Sequence, residues 1–323
     1  MFALPVPYVI LSPGETFNTL GAVPGRTTQI IAVTGKKTNA ISGTLILTTV
    51  NETTGRVTVF DALVGWLQSD RIVVPHDAIT PPGTSEKQQT QQDTQDFVGS
   101  QDNASAAAFC ELGYPKGVLI EGFSTGSKAQ DLLKANDSLI SINGQSVTTI
   151  ATLTSVLQAA TPGTTATVVI SRTGTQQTVG LPLIAPAAGS KGARMGVSVA
   201  TGCVAPFSVD LGLADEIGGP SGGLMFALGI IDKVGSTDLT KGVTVAGTGT
   251  IDPTGAVGAI GGIQLKMIAA RRAGATVFLA PASNCGDVRG NIPKNLNVIK
   301  VDTLHSAIED LLDLQRGKAV PHC

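Results

Sequence analysis

The sequence predicts a mixed α/β (α+β) protein with a separate β-rich unit in its middle. Three observations predict it. Residues 8–60 hold runs rich in β-branched residues, residues 115–186 alternate strand and helix patterns with their own turns, and residues 195–318 alternate strands with apolar helical stretches. At 323 residues, with 42% hydrophobic and only 14% charged side chains, the chain is long enough for two or three domains with proper cores. A net charge of −2, no basic stripe and 4% aromatics leave no footprint for nucleic acid and no base-stacking platform. The expected partners are peptides or small molecules.

Taken in order, the N-terminal stretch MFALPVPYVILSPGETF is apolar at first but carries Pro5 and Pro7. It is too short to span a bilayer and lacks a basic n-region, so it reads as the stub that follows a membrane anchor. TTQIIAVTG, SGTLILTTV and GRVTVFDAL are strand runs, and a helix begins over 61–68. PPG at 81–83 breaks the chain. The glutamine-rich tract 86–101 is an exposed helix or a mobile loop, and ASAAAFCELG is a helix ending at Gly113.

Within 115–186, GVLIEGF is a strand and SKAQDLL a short helix. SLISINGQSV is a strand with an Asn-Gly turn, TIATLTSVLQAA an amphipathic helix and TATVVISRTGTQQTVGLPL a hairpin. This order, with Gly117-Val-Leu-Ile and LLKANDSLISINGQSV, resembles a PDZ domain of the kind attached to bacterial proteases. Asn136 stands where that family usually has glycine, a mild departure because asparagine tolerates the left-handed region. The resemblance implies a peptide groove, filled by β-augmentation, around Tyr114, Gly117, Val118, Leu119 and Ile120. A domain that only braces its neighbour is the alternative. APAAGSKGAR (185–194) is a linker, after which MGVSVATG returns to strand.

The stretch 213–226, LADEIGGPSGGLMF, places Ser221 where irregular chain turns into a buried helix. Unpaired N–H groups and the positive end of the dipole favour negative charge there, which suits a nucleophile beside oxyanion donors. The plain alternative is an N-cap serine in a tight turn. GPSGG satisfies G-x-S-x-G, but ADEIG is not the strand a nucleophile elbow needs. The only histidines are His76, His305 and His322, and Asp302 lies too close to His305 in sequence for a convincing triad. A lysine base fits better. Lys266 falls in the first turn of a helix, where the dipole disfavours a cation, and a lysine desolvated beside Ile263 and Leu265 loses pKa. An ordinary exposed lysine near Arg271 and Arg272 is the competing reading.

IGGPSGGLMFAL, AGTGTI and IGGIQLKMIAARRAGATVFLAP, in that order, resemble the proteolytic domain of the Lon protease family, serine–lysine dyad peptidases. The resemblance implies Ser221 as nucleophile, Lys266 as general base and Thr248 as the hydroxyl that orients the lysine. Backbone N–H groups of Gly219 and Ser221 are the expected oxyanion donors. SGTLILTTVNETTGRVTVFDAL and SAAAFCELGY look like the same family's opening strands and helix. The implied organisation is therefore a Lon-type proteolytic domain, split into 1–113 and 187–323, with a PDZ-like unit at 114–186 inserted between. The combination resembles bacterial PDZ-containing Lon-like proteins that face outside the cytoplasmic membrane. It implies an extracytoplasmic setting, at the cell surface or in the periplasm.

Two departures stand out. Most Lon sequences carry aspartate three residues before the serine, and this chain has Gly218; Asp210, Asp215 and Glu216 are candidates if an acid assists. No G-x-x-x-x-G-K-[ST] occurs, so no nucleotide and no ATP-driven unfolding are expected, and substrates should be flexible or loosely folded. No cofactor or metal is expected: none of the four cysteines forms a CxxC pair. Their even number fits disulfides in an oxidising compartment, against four unpaired thiols as the alternative. Cys285–Cys323 would tie down the tail, and Cys110–Cys203 would join the two proteolytic segments. The favoured function is an ATP-independent serine endopeptidase whose PDZ-like unit recruits or gates peptides. The alternatives are a PDZ-based quality-control adaptor with an idle protease domain, and a Ser–His hydrolase.

Overall fold

The computed structural model describes residues 4–53, 55–172, 174–186, 189, 191–213 and 217–323. In chain order the first elements are β1 (Tyr8–Asn18), β2 (Ile31–Thr34), β3 (Thr44–Glu52), α1 (Val59–Leu67), β4 (Ile72–Pro75) and α2 (Glu86–Glu111). Then come β5 (Lys116–Phe123), β6 (Ser138–Ile142), β7 (Gln145–Ser146), α3 (Ile150–Ala159), β8 (Thr165–Arg172), β9 (Thr175–Pro182), β10 (Val197–Cys203) and β11 (Ser208–Leu211). The last are α4 (Gly223–Val234), β12 (Thr244–Gly247), β13 (Thr250–Ile251), β14 (Val257–Gly258) and α5 (Ile263–Arg272). β15 (Val277–Pro281), α6 (Cys285–Val288), β16 (Asn297–Val301) and α7 (Leu304–Gln315) close the chain.

The chain divides into two compact units. The first comprises the chain up to Ala32, Thr38–Ala108 and Asp210–Cys323. Its sheet runs β16-β15-β12-β3-β1-β4, parallel from β16 to β3 and antiparallel through β1 to β4. The central strands are nearly continuous apolar runs, as strands covered on both faces must be. α5 buries Ile263, Met267 and Ala270 against Ile46, Ala246, Phe278 and Val298. α4, buried along its whole length and apolar except for Asp232 and Lys233 near its end, packs against β3 and α7. Cys285 and Cys323 form a disulfide that fastens the C-terminal end beside α6.

The polar tract 86–101 is helical, the first part of the 26-residue α2. Its inward stripe is Phe97, Ser100, Gln101, Ala104, Ala107 and Ala108, all buried at helical spacing. Phe97 meets Phe226 of α4 edge to face, with ring centroids 5.8 Å apart.

The second unit comprises Val33–Lys37 and Phe109–Val209. Its sheet runs β10-β5-β6-β8-β9, with β7 hairpinned onto β6 through Asn143 and Gly144, both at positive φ. Asn136 also lies in the left-handed region, at φ 65°. Val118, Ile120, Leu139, Leu153, Val168 and Ile170 form part of the core. The strand 197–203, expected to open the second proteolytic segment, belongs here instead: β10 pairs along β5 from Val197↔Phe123 to Cys203↔Lys116. Cys110–Cys203 is a disulfide with both ends in this unit, so it closes the unit on itself rather than joining two halves of the other.

Asp137, its side chain 1% exposed, receives Arg172 Nε at 2.8 Å and Nη2 at 2.7 Å in a two-pronged ion pair. Asp137→Ala leaves the guanidinium facing a site without its counter-charge, and we expect a loss of about 3 kcal/mol in urea unfolding of this unit. Asp137→Asn, which keeps one acceptor, is expected to lose less.

Candidate active site

α4 begins at Gly223, with Gly222 in the capping position, so Ser221 stands immediately before its first turn. Gly219 sits at φ +79°, where glycine bears no Cβ penalty. A Cβ on Gly223 would lie 2.7 Å from Ile251 Cγ2 and 2.8 Å from Ser100 Oγ, so glycine lets the helix start this close to α2. Thr248 directly follows β12, and Lys266 projects from the first turn of α5.

These three residues meet. Lys266 Nζ lies 2.7 Å from Ser221 Oγ and 3.1 Å from Thr248 Oγ1. The Thr248 hydroxyl donates to the Ser221 carbonyl at 3.0 Å, and that carbonyl also accepts the Gly249 N–H at 2.9 Å. A hydroxyl has one proton. With it spent on Ser221, Thr248 Oγ1 can only accept from the lysine. A neutral amine has two N–H bonds and one lone pair, so an N–H given to Thr248 leaves the lone pair available to the Ser221 hydroxyl.

Lys266 is 3% exposed and Thr248 fully buried. Burial lowers the Lys266 pKa from its ordinary value to about 7. No carboxylate pairs with this amine among the described residues, so no counter-charge offsets the desolvation.

Ser221 and Lys266 open onto a cleft of about 660 Å³ that Glu15, Glu52 and Asp93 also line. Burial and the neighbouring Asp93 charge push the Glu52 carboxyl above its usual range. Of the acids singled out in the sequence, Asp210 lies exposed on β11 and does not line this cleft, while Asp215 and Glu216 lie outside the described residues. At Gly218 an added Cβ would stand 3.0 Å from the Cβ of Asp93. The cleft carboxylates therefore come from β1, β3 and α2, and none was expected from sequence. Asp93 had a weak signal, its helical spacing from Phe97 and Gln89; Glu15 and Glu52 had none.

Two expectations need correction. The Gly219 N–H donates to the Asp93 carbonyl at 2.9 Å and is not a free oxyanion donor; the Ser221 N–H makes no hydrogen bond among the described residues. The expected peptide groove is closed, because Gly117, Val118, Leu119 and Ile120 sit on β5 between β10 and β6 and offer no free sheet edge. Tyr114 is held in an aromatic group with Phe109 and Phe207, its hydroxyl accepting from Lys36 Nζ at 2.7 Å. Among the described residues none of the three histidines lines the Ser221 cleft. His76 lines a second cleft, and His322 Nδ1 lies 2.8 Å from the Val298 carbonyl.

Residues 214–314 match the model of the Lon protease (S16) C-terminal proteolytic domain, and residues 118–183 match that of the PDZ domain. The chain is similar to Lon protease of Heliobacterium modesticaldum, 35% identical over 97 residues, which is 29% of this chain and 12% of that one. It is similar to Lon protease of Phenylobacterium zucineum, 38% identical over 103 residues, or 31% and 13% of the two chains. The mitochondrial Lon protease homolog of Aspergillus niger is 37% identical over 106 residues, or 31% and 9%. The chain thus spans 9–13% of the length of these relatives. Among solved structures, the PDZ domain of the SdrC-like protein from Listeria monocytogenes matches at 17% identity and a TM-score of 0.24, covering 26% of this chain and 86% of that one. The mixed α/β architecture accordingly combines a Lon-type proteolytic domain, which holds Ser221, Thr248 and Lys266, with a β-rich PDZ domain.

Proposed function

We propose that the chain is an ATP-independent serine endopeptidase working through a Ser221–Lys266 dyad. One observation carries this reading: a buried amine with a pKa near 7 lies 2.7 Å from a hydroxyl at the mouth of a cleft. Neutral Lys266 takes the Ser221 proton as Oγ attacks the scissile carbonyl, giving a tetrahedral adduct. Collapse of the adduct breaks the C–N bond, and the ammonium returns its proton to the leaving amine. Lys266 then deprotonates the water that releases the acyl group. General-base assistance of this kind gives roughly 10²–10⁴-fold, and an oxyanion donor about 10²–10³-fold more. Thr248 holds the amine in place between these steps.

Flexible segments and loosely folded proteins are the substrates that suit a chain without a nucleotide-binding motif. The two disulfides support an oxidising, extracytoplasmic setting. The PDZ domain recruits or gates substrates in this reading. For a peptide to add along β5, β10 must first leave it.

The test is covalent. A peptidyl phosphonate is expected to label Ser221, located by peptide mass mapping, and the chain is expected to cleave casein without nucleotide. Cleavage that survives Ser221→Ala sinks the reading. Cleavage lost in His305→Ala but kept in Lys266→Ala favours the Ser–His alternative. Retained binding of carboxyl-terminal peptides with no turnover of any unfolded substrate favours the adaptor.

A further inference from the structure

α2 grips the chain on both sides of the residue before the nucleophile. The Asp93 carbonyl takes the Gly219 N–H, and the Ser100 hydroxyl donates to the Pro220 carbonyl at 2.8 Å. Ser100 is 4% exposed and packs where Gly223 leaves room for it. The Pro220 carbonyl belongs to the same peptide plane as the Ser221 N–H. No cis peptide bond occurs among the described residues, so the two groups point in opposite directions across that plane. A hydrogen bond that pins the carbonyl toward α2 therefore aims the N–H away from it. It also polarises the amide, since hydrogen bonds in series strengthen one another. The Ser221 N–H makes no hydrogen bond among the described residues, whereas the Gly219 N–H beside it is already engaged.

We infer that Ser100 is a positioning residue of the reaction: through the Pro220 carbonyl it fixes and polarises the Ser221 N–H as the oxyanion donor. The inference rests on the reading of Ser221 as nucleophile. Ser100 touches neither substrate nor Lys266; it sets the direction of a dipole that must already be aimed when charge develops. Simple bracing of α2 is the competing role, and it predicts lost stability without a selective loss in turnover.

The experiment compares Ser100→Ala, Ser100→Cys and Ser221→Ala in the full chain, using a fluorogenic peptide and a peptidyl boronate whose tetrahedral adduct puts an oxygen at the oxyanion position. In Ser100→Ala, kcat is expected to fall about tenfold or more and boronate affinity to fall with it, while KM stays within about twofold. The acidic limb of the pH–rate profile is expected to stay near 7, because the surroundings of Lys266 are untouched. Ser100→Cys, close in volume but a weaker donor, is expected to fall between the two. A folded Ser100→Ala with parental kcat overturns the inference, as does a loss confined to KM or a shifted acidic limb. If Ser100→Ala does not fold, parental kcat and boronate affinity in Ser100→Cys overturn it. Ser221→Ala separates the two claims: activity there removes the dyad reading itself, whereas an inactive Ser221→Ala beside an unaffected Ser100→Ala removes only the role of Ser100.

Discussion

Lys266→Met is expected to abolish peptide hydrolysis and to make the fold more stable at neutral and acidic pH. The first effect follows from losing the base, a drop of about 10²–10⁴-fold in kcat/KM. The second follows from linkage. The folded pKa of Lys266 is depressed to about 7 from an ordinary value of 10.5, so between these values the unfolded chain binds one more proton than the native one. Native stability contributed by this group thus rises with pH across that window. Below 7 both states hold the proton, and the fold bears the full burden of a buried ammonium. Methionine is close in length, fills the same space and carries no charge. The gain is of the order of a few kcal/mol at pH 6, reduced by the hydrogen bonds that Ser221 and Thr248 lose, and it disappears above about pH 10.5. Chemical denaturation of parent and variant at pH 6 and pH 10 measures it. Equal stabilities at both values would mean that the amine is not desolvated as its 3% exposure requires.

The pH–rate profile of the parent provides the second large effect. Only neutral Lys266 can take the serine proton, so kcat is expected to rise through a limb near pH 7 and level off above it. Below about pH 6 the rate should fall about tenfold per unit, which is about a hundredfold from the high-pH plateau to pH 5. Thr248→Val keeps the shape of the side chain and removes the hydroxyl that accepts from Nζ. It leaves the amine buried with one partner fewer, and its limb is expected to move to lower pH because the charged form loses a stabilising contact. A flat parental profile from pH 5 to pH 9, or a limb near 10, contradicts Lys266 as the base.

The meeting of Ser221, Thr248 and Lys266 was legible in the sequence because each residue lies inside a contiguous signature. The glycines around Ser221 and the breach of the helix-dipole preference at Lys266 are local features. Ser100 and Asp93 were not legible. They lie in a tract where glutamine, threonine and aspartate mask an inward stripe, and polar residues at inward positions read as solvated surface until their partners are known. The engaged Gly219 N–H was hidden for the same reason, its acceptor lying in α2. The PDZ resemblance and the Asn-Gly turn were local and readable. The extent of that unit was not: APAAGSKGAR has the composition of a linker, yet the strand after it returns to pair with β5, and no local pattern records a ladder between residues so far apart.

That returning strand fills the edge of β5 from within the same polypeptide, and Cys110–Cys203 fixes it at one end. Any outside peptide aimed at the same edge competes with an occupant at very high effective concentration. Its observed dissociation constant is the intrinsic one divided by the fraction of molecules in which the occupant has detached. If the unit takes peptides as proposed above, reduction of Cys110–Cys203 is expected to raise that fraction and to tighten peptide binding.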